Sequence, residues 1–334
     1  MSDHHVIQKP LSELDFSDLQ VRLDNRGMVL FQGRAKGTTQ APLHPLPEEF
    51  AEAVTNLKEE LRMRPLAAGS ILVDGIQYRY QKMTGQNDSV FCVVRRLENR
   101  EMRLHDLQIA PDAMSTILNW ANMQSGLILI AGATGQGKTT LGKHLFKEFM
   151  ITNGGRGISI EDPIEYLMQG KMGDRGFCIQ HEDNSGDWST AIQACLRMRP
   201  SYLYIGELRT PRAALEALKA SATGHIVITT THAGSMDEAI GRMAQLTSGA
   251  PDSGGMDYVR GELGKSLIGI IVSKLSNYGP DLTILHGSTE AERADIARLI
   301  EEGHDQALAK SGNLSWSKHH IAPRPPRGAG NQRA

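Results

Sequence analysis

Gly126-Leu-Ile-Leu-Ile-Ala-Gly-Ala-Thr-Gly-Gln-Gly-Lys-Thr-Thr140 is the stretch on which the reading of this chain turns. Its first half is an unbroken apolar run, which predicts a buried strand over 127–131. Its second half, Gly132 to Thr139, matches GxxxxGK[ST] in full and leads into a helical pattern over 139–150. That context of strand, glycine-rich turn and helix is what a phosphate-binding loop requires. Glycines allow a tight backbone path, so that several N–H groups and the positive end of a helix converge on one phosphate chain. The candidate nucleotide contacts are Gly132, Ala133, Thr134, Gly135, Gln136, Gly137, Lys138, Thr139 and Thr140. Lys138 can reach the β- and γ-phosphates, and the Thr139 hydroxyl can ligate Mg²⁺. The predicted ligand is a nucleoside triphosphate.

Downstream, strands and helices alternate. Further strands are expected at 157–160, 202–205 and 226–230, and helices at 188–197, 211–222, 236–246 and 259–275. With a helix at 111–122, this alternation predicts a mostly parallel sheet with helices on both faces. In such a sheet the C-terminal strand ends face the ligand. Three boxes fall at those ends. Ile160-Glu-Asp-Pro-Ile-Glu165-Tyr follows one strand, and its carboxylates are expected to point toward the phosphates. Tyr202-Leu-Tyr-Ile-Gly-Glu207-Leu-Arg209 has the form of a Walker B strand, although its acid stands one residue past the usual aspartate position. Glu207 is placed to orient water or to hold Mg²⁺ through water. In Thr223-Gly-His225-Ile-Val-Ile-Thr-Thr-Thr-His232-Ala-Gly-Ser235 two histidines bracket a strand, with His232 on the ligand side.

Upstream, residues 14–33 alternate apolar and polar about Asn25-Arg-Gly27, which predicts a hairpin. A Pro- and Thr-containing connection covers 38–47, and Leu46, Phe50, Val54, Leu57 and Leu61 form a helical stripe. Residues 71–80 and 89–96 read as two further strands. Together these predict a small α+β domain over 1–105, a linker near 100–110, a nucleotide-binding domain over 106–320 and a Pro/Gly/Arg-rich, disordered tail over 321–334.

Composition sets the outer limits. The 334 residues carry 36 Lys and Arg against 38 Asp and Glu, a formal net charge of −2, which supplies no global pull toward nucleic acid or anionic lipid. Cys92, Cys178 and Cys195 are widely spaced and predict neither a disulfide framework nor a zinc site. No apolar run approaches the roughly 20 residues of a membrane-spanning helix. The N-terminus lacks signal-peptide character, so a cytoplasmic protein is expected.

Taken in their fixed order, the phosphate loop, the IEDPIEY box, the GELR strand end and the TGHIVITTTHAGS box resemble the type II/type IV secretion ATPases, the GspE/PulE superfamily. The nearest branches are the PilT-like pilus retraction and DotB-like secretion ATPases. The resemblance is strong over 107–275 and weaker upstream. It implies a RecA-like P-loop ATPase domain behind a PAS-like α+β domain, a homo-hexamer using ATP and Mg²⁺, and docking on an inner-membrane platform protein of a pilus or secretion machine. Carried over residue by residue, it implies water activation by Glu165 and Glu207, metal binding by Thr139 and Glu207, and nucleotide sensing by His225 and His232. It further implies that Arg79, Arg95 and Arg96 act across subunit boundaries, with Arg209 beside the catalytic acid. Thr210 stands where the family usually has Asp, Ala222 where it often has Glu, and the tetracysteine zinc module is absent. That absence argues against pilus extension. Ile296-Ala-Arg-Leu-Ile300 loosely resembles a retraction-associated segment. A conjugative, DotB-like role is the alternative within the family, and a RecA-like nucleic-acid motor the alternative outside it.

Overall fold

Leu19, Val21, Tyr78, Tyr80, Cys92 and Val94 are buried and alternate with more accessible neighbours. That period of two builds an antiparallel sheet with one face covered. The structure is a computed structural model, and it describes residues 7–24, 29–33, 42–97, 103–276, 279–308 and 315–319. By contacts the chain forms two units, Met1–Arg100 with Asp162–Leu167, and Glu101–Glu161 with Met168–Ala334.

The first unit contains β1 (Asp18–Arg22), β2 (Leu30–Gln32), β3 (Leu43–Pro45), α1 (Ala51–Met63), β4 (Ala68–Val73), β5 (Ile76–Thr84) and β6 (Val90–Arg96). The sheet order is β3-β2-β1-β6-β5-β4, antiparallel throughout. The predicted stripe is the buried face of α1, where Val54, Leu57 and Leu61 pack against Phe16 and Tyr78 in one core. Two expectations change here. The single strand over 71–80 is a hairpin, because Asp74 (φ 51°) and Gly75 (φ 74°) turn the chain between β4 and β5. Part of the 38–47 connection is β3. The predicted turn at Asn25-Arg-Gly27 and the tail over 321–334 lie outside the described residues.

The second unit contains α2 (Pro111–Asn119), β7 (Gly126–Ala131), α3 (Lys138–Asn153), β8 (Gly155–Glu161), β9 (Gly170–Met172), β10 (Gly176–Glu182), α4 (Ser189–Leu196) and β11 (Tyr202–Glu207). It continues with α5 (Pro211–Ala222), β12 (Ile226–Thr231), α6 (Met236–Ser248), α7 (Met256–Ser266), β13 (Leu267–Ser276), β14 (Gly279–His286), α8 (Glu290–Glu301) and β15 (Ser315–His319). The order β15-β14-β13-β7-β12-β11-β8-β10-β9 has a parallel centre from β13 to β10 and antiparallel edges. One core, with α2 and α3, covers one face through Ile128, Ile130 and Phe146; the other, with α4 to α8, covers the opposite face through Leu129, Val227 and Ile240. This is the expected α/β architecture with a mixed, mostly parallel sheet.

The helix expected over 259–275 is the main correction. It ends at Ser266, and Leu267-Ile-Gly-Ile-Ile-Val272 continues as β13, beside β7. A fully apolar run carries no period that separates a buried strand from a buried helix. Strands β9, β10, β14 and β15 are additional, and 120–122 form a 3₁₀ turn rather than helix. The three cysteines are buried free thiols. Among the described residues, no helix is long and apolar enough to cross a membrane.

Candidate nucleotide site

The loop leaves β7 at Gly132, where φ is 157° and a Cβ would stand 2.6 Å from the Ser273 carbonyl oxygen. Only glycine fits that approach. Gly135 (φ 79°) and Gly137 (φ 75°) are left-handed, and Gly137 caps α3. Between them Gln136 is tied to β13: its carbonyl accepts from Ser273 Oγ (2.8 Å), and its Oε1 accepts from the Leu275 backbone N–H (2.5 Å). The stretch expected to be helix is thus the strand that anchors the loop. The loop delivers the chain to the N-terminus of a 16-residue helix, whose unpaired N–H groups and dipole favour an anion.

Lys138 Nζ donates to the Ala133 carbonyl (2.9 Å) and stands 3.4 Å from His232 Nδ1. His232 Nε2 lies 3.3 Å from Glu207 Oε1, and Arg209 Nε lies 3.5 Å from Glu207 Oε2. An imidazole protonated at Nε2 satisfies both neighbours, accepting from lysine and donating to the carboxylate. Burial pushes the Lys138 ammonium below its ordinary pKa, and the Glu207 charge opposes that shift.

A β-bulge explains why the acid stands one residue late in the sequence. The ladder pairs Ile205 with Thr229 and then Glu207 with Thr230, so Gly206 is the extra residue. Glu207 therefore takes the position that residue 206 would hold in a regular strand. The Gly206 carbonyl is held by Thr230 Oγ1 (2.6 Å).

The acidic box divides. Glu161 is 3% exposed and paired with buried Lys143 of α3. Its Oε1 also accepts from Ser159 Oγ (2.9 Å) and Gln180 Nε2 (3.1 Å). Lys143, five residues beyond Lys138 on α3, captures it, which corrects the expectation that this carboxylate points toward the phosphates. Glu165 is exposed and groups with the first unit.

The remaining sequence-derived residues spread out. Thr139 sits in the first turn of α3, while the Thr140 carbonyl accepts from His144 Nδ1 (2.6 Å). His225 lies before the start of β12, at the end opposite His232, and contacts the Ala220 carbonyl (3.2 Å). Arg79 and Arg95 are cross-strand partners on the face of the first sheet away from its core, and Arg95 Nε donates to Asp18 Oδ1 (2.8 Å). Arg96 has the opposite orientation and donates to the Ser12 carbonyl (3.1 Å). Thr210 caps α5 by accepting from Ala213 N–H (3.2 Å) and donates to Asp187 Oδ1 (2.9 Å), so a carboxylate from a different loop reaches this strand end. Sequence reasoning missed Lys143, Gln180, Ser273 and Asp187. Only Lys143, a lysine on the apolar face of a helix, left a readable signal.

For Mg²⁺, no cluster of three His, Cys, Asp or Glu side chains occurs among the described residues. One hydroxyl, Thr139, and one carboxylate, Glu207, fit the pattern of an ion shared with phosphates and water rather than caged by protein.

The chain is similar to known proteins. The chain is 28% identical over 235 residues to the type IV pilus ATPase PilU of Pseudomonas aeruginosa, covering 68% of this chain and 59% of PilU. It is 30% identical over 170 residues to the type II secretion system protein HxcR of the same organism, covering 49% of this chain and 34% of HxcR. The matched stretch thus spans less than two thirds of either relative. Among solved structures, the pilus retraction motor PilT with bound ADP superposes with a TM-score of 0.69 at 24% identity, covering 90% of this chain and 86% of that one. The Legionella pneumophila ATPase DotB gives 0.68 at 18% identity, covering 90% and 85%; both show a common fold. The type II/IV secretion system protein family matches residues 71–283, from β4 through the phosphate loop, the bulged acid and His232 into β14, and the chain belongs to that family.

Proposed function

We propose that this chain is an ATP hydrolase, the motor subunit of a pilus or type IV secretion machine. The observation that carries the proposal is the continuous line Lys138–His232–Glu207–Arg209 at the mouth of a phosphate loop. In this reading the loop amides and Lys138 hold the phosphate chain, and Glu207 orients the attacking water. His232 links the phosphate side to the acid, so that loss of the γ-phosphate is felt at Glu207. Mg²⁺, held by Thr139 and through water by Glu207, would neutralise charge on the phosphates.

The first unit acts as the PAS-like partner domain of a RecA-like motor. Arg79 and Arg95 share one face, which supports them as a pair reaching the nucleotide of a neighbouring subunit in a homo-hexamer. Arg96, turned to the other face, is a structural residue. Glu165 serves as a second acid and His225 as a support for the α5–β12 turn. The ring docks on an inner-membrane platform protein, and ATP binding and release open and close it. PilT and DotB match the fold equally well, so the family likeness supports pilus work and secretion alike.

The direct test is ATP turnover by the purified chain with Mg²⁺. Lys138→Ala should reduce turnover at least 100-fold and weaken nucleotide binding. Undiminished hydrolysis in that variant would sink the assignment.

A further inference from the structure

On the face of the second sheet opposite α3 lies a cavity of about 700 Å³, within the size range of small-molecule sites. No phosphate-loop residue lines it. Its floor is formed by Leu129 and Thr229, adjacent in the β7–β12 register. Leu208, Pro211, Met243 and Leu246 contribute apolar walls, and Arg209 and Arg242 lie at the rim. Glu207 and His232 also line it, so the cavity meets the nucleotide site through these two residues. Thr229 is 1% exposed, and its hydroxyl has no hydrogen-bond partner among the described groups.

We propose that this cavity is a second ligand site, for a small amphipathic anion: an aliphatic or aromatic body carrying one carboxylate, sulfonate or phosphate. The apolar walls take the body. The two arginines take the charge, Arg242 from an i,i+4 pair with Glu238 and Arg209 from its 3.5 Å contact with Glu207. Drawing Arg209 away from Glu207 changes the field at the acid, so occupancy alters turnover. This regulatory part rests on the proposed ATPase reading; the existence of the site does not.

The test uses 8-anilinonaphthalene-1-sulfonate, which has the stated chemistry and reports its own binding by fluorescence, with the full chain and saturating ADP. One probe per chain is expected. Leu246→Trp, which fills the cavity, should weaken binding at least tenfold, and Arg242→Gln, on the exposed rim, about threefold or more. The uncharged analogue N-phenyl-1-naphthylamine should bind at least fivefold more weakly. Unchanged probe affinity in Leu246→Trp and Arg242→Gln, competition by ADP, or equal binding of the uncharged analogue would each overturn the site. A probe that binds as expected but leaves wild-type ATP turnover unchanged would overturn the regulatory part. Absence of turnover without any probe would count against the ATPase reading alone.

Discussion

Strands β8 and β11 are parallel, hydrogen-bonded neighbours, and each ends in a glutamate at the C-terminal end of the sheet, yet the two ends have opposite surroundings. Glu161 is 3% exposed and closed in by Lys143, Ser159 and Gln180. Glu207 keeps 31% of its side chain accessible and holds its two partners at 3.3 and 3.5 Å, longer than a strong charge-assisted bond. A carboxylate closed in on all sides leaves no room for water; a loosely held, accessible one does. The comparison separates an acid locked onto the phosphate-loop helix from an acid left open to solvent beside Lys138 and His232.

The largest effect that tests this contrast is on turnover. Glu207→Gln should lower ATP hydrolysis by roughly 10²–10⁴-fold, the range for loss of a general base. Its melting temperature should stay close to wild type, because an accessible carboxylate with long contacts contributes little to folding. The reciprocal change should behave the other way. Glu161→Gln leaves Lys143 buried against an uncharged partner and should destabilise the fold by about 3–5 kcal/mol, read by urea denaturation. Replacing both, as Lys143→Met with Glu161→Leu, should recover most of that loss. If Glu161→Gln melted normally but lost all turnover, the division of labour would be reversed.

A smaller effect concerns the tether of the loop. Ser273→Ala removes the hydrogen bond to the Gln136 carbonyl, worth about 1 kcal/mol. Nucleotide affinity, measured by titration with a fluorescent ADP analogue, should fall severalfold without loss of the fold. Affinity equal to wild type would mean that the remaining tie, from the Leu275 N–H to Gln136 Oε1, holds the loop without the Ser273 hydroxyl.

Much of this contrast could be read in the sequence, and the unread part has identifiable causes. The loop, the bracketing histidines and Glu207 stand in local patterns whose periods specify strand, turn or helix. The positions of the two acids were legible, their environments not. What captures Glu161 is a lysine 18 residues earlier and a glutamine 19 residues later, contacts that no local period encodes. Likewise the apolar run Leu267-Ile-Gly-Ile-Ile-Val272 is buried on both faces, which erases alternation, and with it went the tether from Ser273. The bulge at Gly206 is a register property, and register is set by the neighbouring strand. Asp187 near Thr210 is a loop contact of the same kind, between partners 23 positions apart in the sequence.

The closed side of the comparison should also carry an acid response, the smallest effect expected. His144 follows Lys143 on α3, where burial depresses its pKa below 6.5; the Thr140 carbonyl opposes that shift, and Lys147 and Lys143 add to it. The Asp106 charge also acts on it, in the raising direction. A histidine with a depressed folded pKa binds its proton more weakly in the native state than in the unfolded chain. Between the folded pKa and 6.5 the unfolded state therefore holds more protons, and stability rises with pH through that window. The contribution is complete above pH 6.5 and is lost as the pH falls through the folded value. His144→Gln keeps a polar group within reach of the Thr140 carbonyl but cannot titrate, so it should flatten the loss of stability on acidification. Urea midpoints at pH 7.5 and at successive steps below 6.5 measure this directly. An unchanged slope in His144→Gln would assign the acid response to other groups, His286 first among them, whose pKa burial also lowers while the Glu292 charge opposes the shift.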